Sequence, residues 1–242
     1  VVYTATSIGN GAFYGCSGVY AVTIPSTVTQ ISSNAFSGTS LAQVIINSNA
    51  IASHNYTSYF SFNSLFGNNV SGYTFGQGVT AIGNCAFYGC DFLGTVNIPN
   101  SVSSIGYSAF QGCTNLESIV LPNSLTTISN ALFRACTNLQ QVTIPSSVTT
   151  IKDQAFLGCD HLNRINITDM AAWCGIDHET WAGYPISASY SLYLNGNQVT
   201  NLTLPNGLTT INRLAFANCT SLTSVTIPSS VTSIEYSAFS GC

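Results

Sequence analysis

Charge is the property that this sequence has least of. Only 5% of its 242 residues are charged, and no Asp, Glu, Lys or Arg occurs before Asp91. A typical globular domain carries about 25% charged residues, so Ser, Thr, Asn, Gln and Tyr must supply the polar surface here. Four basic residues against eight acidic ones give a net charge of -4. This balance argues against nucleic-acid binding and against docking on anionic membranes, because both need clustered Lys and Arg.

Long apolar runs are missing as well. The sequence has no run of the roughly 18 apolar residues that a membrane-spanning helix needs, so we expect no insertion into a membrane. No charged segment followed by an apolar one marks a signal peptide. The chain opens inside a repeat, however, and this absence therefore says little about the compartment. Hydrophobic residues still make up 45% of the sequence, which is enough for a core.

Familiar catalytic and metal-binding motifs are also absent. The sequence contains no G-x-S-x-G, no phosphate loop and no G-x-G-x-x-G, and its acidic residues are scattered over different repeats. His178-Glu179 begins like a metalloprotease motif, but the second histidine is missing. Cys174, Asp177 and His178 are close enough in sequence for a metal, although a polar loop is the simpler interpretation. We expect no enzyme, no metal site and no cofactor.

What the sequence does have is a repeat of 23 residues. Copies begin at Leu93, Leu116 and Leu139, each counted here as position 1. Apolar residues return at positions 4, 6, 10 and 13, proline at 7, phenylalanine at 18 and cysteine at 21. Together with a partial copy in residues 1–18, these copies make about ten turns. The same frame fits copies that begin at Val19, Leu41, Val70, Leu162, Val199 and Leu222.

Each recurring position has a physical meaning. Alternating apolar residues at positions 4 and 6 predict a short strand with one buried face. Proline at position 7 ends that strand because it cannot donate a hydrogen bond to the ladder. Positions 10 to 13 predict a second short strand, and Ala-Phe at 17 and 18 predicts a single helical or 3-10 turn with a buried Phe. One unit cannot bury both of its faces, so we predict a solenoid of stacked turns that share one core.

Two copies are longer than the others, at residues 41–69 and 162–198. We expect most of the aromatic residues in and beside them to cover the core where the repeat breaks, and any exposed ones to anchor a partner. In the second copy, Asn195-Gly196 predicts a hairpin turn between 192–194 and 202–204. The aromatic residues are Tyr56, Tyr59, Phe60, Phe62, Phe66, Tyr73, Phe75, Trp173, Trp181, Tyr184, Tyr190 and Tyr193.

The pattern L-x-x-V-x-I-P-x-x-V-x-x-I-x-x-x-A-F-x-x-C resembles the BspA-like, Treponema-type leucine-rich repeat family. The chain departs from it at Thr39 (position 21), Gly76 and Val2 (position 7) and Leu132 (position 17). The resemblance covers almost the whole chain and implies one leucine-rich-repeat solenoid, mainly β, over residues 1–242. It also implies a secreted or cell-surface protein that mediates adhesion to host proteins or to other cells, without enzymatic activity.

Seven of the nine cysteines share position 21. Stacked turns would place their thiols about 5 Å apart, but in a ladder the Cα–Cβ bonds run parallel, whereas a disulfide needs them to converge. We therefore favour buried, unpaired thiols over disulfides or a metal. Cys85 and Cys174 lie outside this set, and Cys85 is the better candidate for a reactive thiol. The seven are Cys16, Cys90, Cys113, Cys136, Cys159, Cys219 and Cys242.

Outward residues of the first strand, at positions 3 and 5, form the candidate binding surface. They are mostly uncharged hydroxyl and amide side chains. One interpretation is simple solvation of a strand, which Thr favours; the other is a surface for protein or glycan partners. The candidates are Thr23, Thr74, Asn97, Ser118, Gln141, Thr143, Thr203 and Thr226.

Five Asn-x-Ser/Thr sequons are candidates for N-glycosylation if the source is a eukaryote with a secretory pathway. Since Asn, Ser and Thr are abundant, chance alone would produce several. They are Asn55, Asn69, Asn166, Asn201 and Asn218.

The ends of the sequence suggest a second hypothesis. Solenoids usually need polar caps, and this chain begins and stops inside a repeat. We therefore also consider a fragment of a longer array, or a structural protomer of a head-to-tail extracellular filament.

Overall fold

The repeat folds as a coil of about ten stacked turns with a period near 23 residues, which confirms the predicted solenoid. The computed structural model describes residues 4–179 and 189–242. Each regular turn has three sides: a first strand at positions 3 to 6, a second strand at positions 12 and 13, and the Ala-Phe segment. Trp181 and Tyr184, predicted to cover the core, and Val2, one of the departures from the repeat, lie outside the described residues.

Strands account for most of the regular structure. They are short because proline or a turn follows each one. In chain order they are β1 (Ser7–Ile8), β2 (Ala21–Ile24), β3 (Gln30–Ile31), β4 (Gln43–Ile46), β5 (Gly72–Phe75), β6 (Ala81–Ile82), β7 (Thr95–Asn97), β8 (Ser104–Ile105), β9 (Ser118–Val120), β10 (Thr127–Ile128), β11 (Gln141–Ile144), β12 (Thr150–Ile151), β13 (Arg164–Ile167), β14 (Asp177–His178), β15 (Ser191–Leu194), β16 (Asn197–Gln198), β17 (Asn201–Thr203), β18 (Thr210–Ile211), β19 (Ser224–Thr226) and β20 (Ser233–Ile234).

The first strands stack in parallel and in register, and we call this stack the first-strand ladder. Equivalent positions of adjacent turns pair, as Val142 does with Ile119 on one side and with Ile165 on the other. Because side chains alternate along a strand, positions 4 and 6 all enter the core while positions 3 and 5 all point outward. Its hydrogen-bonded groups are β2-β4-β5-β7, β9-β11-β13-β15-β16 and β17-β19.

The second strands form a parallel second-strand ladder on another side of the coil. Each strand has two residues, and the isoleucine at position 13 is inward, as Ile128 and Ile151 show in their pair. Its hydrogen-bonded groups are β1-β3, β6-β8, β10-β12-β14 and β18-β20.

The Ala-Phe segments are hydrogen-bonded turns rather than the helical or 3-10 turns that the sequence predicted. Each regular one has a residue with positive φ at position 16, such as Ser108 (φ 52), and another at position 20, such as Gly112 (φ 75). Their N–H groups donate to the next turn instead of to their own: Phe87 N–H donates to Ala109 O at 2.7 Å, and Phe110 N–H to Leu132 O at 3.0 Å. We call this third set of bonds the turn ladder.

Helices occur only where the described turns are irregular. They are α1 (Asn49–Ala52), α2 (Phe62–Phe66) and α3 (Met170–Cys174). Ser48 caps α1 by accepting the Ile51 N–H at 3.1 Å, and Asp169 caps α3 by accepting the Ala172 N–H at 2.7 Å. Each extra segment thus satisfies its own backbone and lets the strands on either side continue.

Phenylalanines and thiols line the core in two parallel rows. Phe87, Phe110, Phe133 and Phe156 stack at centroid distances of 4.8, 5.5 and 5.4 Å. The thiols of position 21 are unpaired, as predicted, but they are not merely apolar fillers. Three of them donate to the carbonyl of the Phe in the preceding turn, at 3.2 Å (Cys113), 3.0 Å (Cys136) and 3.1 Å (Cys159).

Three predictions about single positions need correction. Cys85 is buried, and burial raises its pKa, so it is not a reactive thiol. Cys16 and Cys242 are exposed instead of buried. The hairpin turn at Asn195-Gly196 is present, but β15 pairs there with β16, and 202–204 belongs to the next turn.

The described aromatic residues of the long copies mainly cover the core, as predicted. Tyr56, Phe62, Phe66, Tyr73, Phe75, Trp173 and Tyr190 are buried. Phe60 and Tyr193 are half-buried, and Tyr59 is 95% exposed. Within the described residues, no helix has the length and apolar character needed to cross a bilayer.

Candidate binding surface

The outward residues at positions 3 and 5 of the first-strand ladder form one continuous side of the coil, which we call the strand face. All eight residues predicted from the sequence lie on it. Thr23, Asn97, Ser118, Thr203 and Thr226 are exposed, whereas Thr74, Gln141 and Thr143 are half-buried between their neighbours. The backbone hydrogen bonds of the ladder fix their spacing, so the face presents hydroxyl and amide groups in a rigid array.

Two exposed apolar side chains interrupt this polar array. Ile45 is 41% exposed and lies between Thr23 and Thr74 at position 5. Val120 is 65% exposed and pairs with Thr143. The frame of the repeat already placed both at position 5, but our choice of candidates favoured polar residues. The face therefore offers small apolar contacts as well as hydrogen bonds.

Arg164 and Tyr193 form a feature that sequence reasoning missed. The Arg164 guanidinium carbon lies 3.8 Å from the centroid of the Tyr193 ring, and its Nε donates to Asn166 Oδ1 at 3.2 Å. Arg164 occupies position 3, so the frame could have found it. Tyr193 could not be placed in this way, because it follows the long insertion and only the pairing of Asn166 with Tyr193 sets its register.

Other charged groups lie away from the strand face. Lys152 and Glu179 form an ion pair at 3.3 Å, and Arg213 and Asp177 form one at 3.0 Å. Both pairs stand beside the second-strand ladder. Arg164 is consequently the charged residue among positions 3 and 5 of the described first strands.

The predicted alternatives to a binding surface do not assemble into a site. Cys174 and His178 are buried in the core, while Asp177 is exposed and paired with Arg213. His178 pairs with Ile151 and occupies the place of the core isoleucine. Burial of its ring lowers the pKa to about 4. The described residues contain no group of three or more His, Cys, Asp or Glu side chains placed to hold a metal.

The sequons differ in accessibility. Asn55, Asn69 and Asn201 are exposed, Asn218 is half-buried, and Asn166 is 8% exposed. Asn166 also accepts a hydrogen bond from Arg164, so a glycan there would have to displace packed side chains.

A cleft of about 570 Å³ opens on the strand face between β7 and β9. Its walls are backbone and uncharged side chains, among them Asn97, Ile98, Ser118 and Val120. A second cavity, of about 500 Å³, lies beside the β15–β16 hairpin and is lined by Met170, Leu194 and Thr203, among others.

Comparison with known proteins gives one family and several solved folds. The profile of the BspA type leucine rich repeat region matches in six copies, over residues 2–71, 60–173 and 187–242. None of the curated proteins compared with the chain matches it.

The solved structures are leucine-rich repeat proteins of low sequence identity. One from Bacteroides ovatus is 23% identical, with a TM-score of 0.43, over 99% of this chain and 81% of that one. The Treponema pallidum leucine-rich repeat protein is 24% identical, with a TM-score of 0.46, over 92% and 76%. A leucine-rich cell surface protein from Faecalibacterium prausnitzii is 25% identical, with a TM-score of 0.42, over 98% and 60%.

Proposed function

The chain belongs to the BspA-type leucine-rich repeat family, and from this premise we propose that it is a non-enzymatic module that binds protein or glycan partners through its strand face. The observation that carries the proposal is the face itself: a rigid array of hydroxyl and amide groups repeated at the strand spacing of about 4.8 Å. Such groups both donate and accept hydrogen bonds, which suits peptide amides and sugar hydroxyls alike.

Rigidity supports a binding role because an ordered surface loses little conformational entropy on association. In the group around β11, every strand is bonded to neighbours on both sides, and Gln141, Thr143 and Asn166 are held between adjacent side chains. Individual hydrogen bonds contribute little in water. A partner must therefore contact several turns at once, and we expect weak to moderate affinity.

Arg164 and Tyr193 are the best candidates for an anchor within this face. Arginine and tyrosine are enriched among the residues that dominate binding energy at interfaces. The Tyr193 ring holds the guanidinium in place, so its remaining N–H groups can bind a carboxylate or carbonyl of the partner without further ordering.

We also propose that the protein works outside the cell, secreted or at the cell surface, as family membership implies. Its free thiols are compatible with an oxidising environment. Burial raises the pKa of Cys90 to about 12 and also raises that of Cys113. The reactive thiolate is therefore scarce at these positions, which slows their oxidation.

Substitution of Thr143 by arginine tests the strand face. A long charged side chain at the centre of the face should prevent close approach, so Thr143→Arg should lower affinity at least tenfold for surface proteins or glycans that the native chain binds, measured by biolayer interferometry and on glycan arrays. Thr126→Arg is the matched control, because Thr126 is exposed beside the second-strand ladder. Unchanged binding of every partner by Thr143→Arg would show that the strand face is the wrong surface.

End-to-end self-association is the second proposal. The lack of charge in the first 90 residues favours it, since like-charge repulsion does not keep copies of that region apart. Multi-angle light scattering at rising concentration should then show growing species, and a monodisperse monomer at the highest concentration would contradict it.

A further inference from the structure

Both strand ladders are interrupted at the same junction between two regular turns. β7 pairs with β5 and β9 pairs with β11, but β7 does not pair with β9; β8 and β10 are likewise unpaired with each other. The other breaks of the first-strand ladder coincide with a long copy, where inserted residues intervene. Here both turns have the regular 23 residues, so no insertion explains the separation.

The separation leaves backbone groups of the first-strand ladder without their usual partners. At neighbouring junctions the N–H at position 3 donates to the carbonyl at position 2 of the preceding turn, as Thr95 does to Ser71 at 3.0 Å and Gln141 to Glu117 at 3.2 Å. Within residues 4–179, no such bond joins Ser118 to Gly94. Backbone polar groups of this kind must be satisfied by water or by a ligand.

The turn ladder stays intact at this junction. Ser108 N–H donates to Asn130 O at 3.0 Å, and Gly112 N–H donates to Arg134 O at 2.8 Å. Behind these bonds, the Phe110 and Phe133 rings remain stacked. The two halves of the coil are therefore joined along the Ala-Phe side and parted along both strand sides, which is the geometry of a hinge.

The cleft of about 570 Å³ is the mouth of this hinge. Cα atoms of β7 and β9 still approach within 8 Å of each other, whereas a strand inserted between them needs about 9.6 Å, or twice the usual spacing. A further opening of about 2 Å at the mouth admits one strand. Rotation about the turn ladder supplies it without breaking a bond of that ladder.

We propose that this cleft binds an extended peptide segment of a partner protein, which enters between β7 and β9 as an additional strand. The inference rests on the proposed function and names the chemical class of one partner. The peptide backbone satisfies the free edges, as in other cases of strand addition. Its inward side chains pack between Val96 and Ile119, so they must be apolar. Its outward ones lie beside Asn97, Ser118 and Val120, so they are small or uncharged polar groups.

Hydrogen exchange followed residue by residue by NMR tests the open edge in the native chain. Ser118 and Val120 should exchange at least 100-fold faster than Gln141 and Thr143, which occupy the same positions in the next turn and lie in a bonded pair. Equal protection of the two sets would mean that the junction is closed in solution, and the proposal would be wrong even if the strand face binds partners.

A synthetic peptide tests the ligand class. The probe is LQQVTIPSS, a fluorescein-labelled copy of residues 139–147, because a strand of the repeat already has the alternation that two such edges accept. Fluorescence polarisation should show saturable binding to the native chain, and addition of the peptide should protect the Ser118 and Val120 amides. Absence of binding at millimolar peptide would overturn the inference.

Two substitutions at one position locate the binding. Ser118→Pro removes the N–H that faces the cleft and places a ring there, so it should lower peptide affinity at least tenfold. Ser118→Ala keeps the N–H and should bind like the native chain. Circular dichroism should show both variants folded, since the N–H that proline removes has no partner in the native turn. Equal affinity of Ser118→Pro and Ser118→Ala would place the peptide elsewhere.

Discussion

At the scale of single residues, His178 is the side chain most at odds with its surroundings. It is fully buried in the core row of isoleucines, and neither ring nitrogen has a hydrogen-bond partner among the described residues. Trp173 lies edge-on to it at 6.2 Å between ring centroids. Nearby Asp177 raises its pKa and Arg213 lowers it, but loss of solvation dominates and favours the neutral ring.

This burial predicts acid sensitivity of a defined sign. In the unfolded chain His178 binds a proton below about pH 6.5, whereas in the fold it does so only near pH 4. The unfolded state therefore binds more protons between these values, and stability should be complete above pH 6.5 and fall by about 3 kcal/mol as pH falls to 4. Urea unfolding at several pH values measures this loss.

His178→Ile restores the residue type of the core row and should remove most of that pH dependence. His161→Gln, which changes an exposed histidine, is the matched control and should retain it. If His178→Ile loses as much stability between pH 6.5 and 4 as the native chain does, the buried ring is not its source.

At the scale of elements, the Ala-Phe segment depends on two residues with left-handed backbone. Position 20 is glycine in most turns, as at Gly112 and Gly158, but alanine at Ala135, where φ is 58. Left-handed backbone costs an L-residue roughly 1–2 kcal/mol. Its N–H still donates to Leu157 O at 2.7 Å, so the turn ladder holds this residue in a strained conformation.

Ala135→Gly should therefore raise the free energy of unfolding. Relief of strain exceeds the added entropy of the unfolded chain, so we expect a gain of about 0.5–1 kcal/mol, measured by urea unfolding. The reverse change, Gly112→Ala, should lower stability by about 1 kcal/mol. Opposite signs in the two variants identify backbone conformation as the cause, and a loss of stability in Ala135→Gly would contradict it.

At the scale of the whole molecule, each turn contacts chiefly the turns before and after it. Stability of such an array is close to a sum of unit and interface contributions. Removal of one complete repeat, residues 116–138, should therefore give a folded protein with somewhat lower stability, because Leu139 takes the place of Leu116 in the frame.

Removal of residues 116–127 is the control for that deletion. It joins two different positions of the repeat and turns buried residues outward, so it should not fold. Far-UV circular dichroism and urea unfolding distinguish the two products. A folded half-repeat deletion, or an unfolded whole-repeat deletion, would show that the 23-residue unit is not the structural unit.

Sequence alone determined the unit of this fold and the direction of most side chains. Alternation in Val142-Thr143-Ile144 is local, and its repetition every 23 residues allows only one stacking in which every turn buries its apolar side. The same alternation placed Thr143 and Ser118 outward. These inferences succeeded because a strand's period of two leaves each side chain only two directions.

The tertiary structure decided what depends on contacts between turns. Donation by Phe87, Phe110 and their equivalents to the next turn replaced the helix expected at Ala-Phe, and the register after the long insertion brought Tyr193 under Arg164. Separation of β7 from β9 has no signal in two regular repeats. Such features arise from the summed packing of neighbouring turns, and no single stretch of sequence contains that sum.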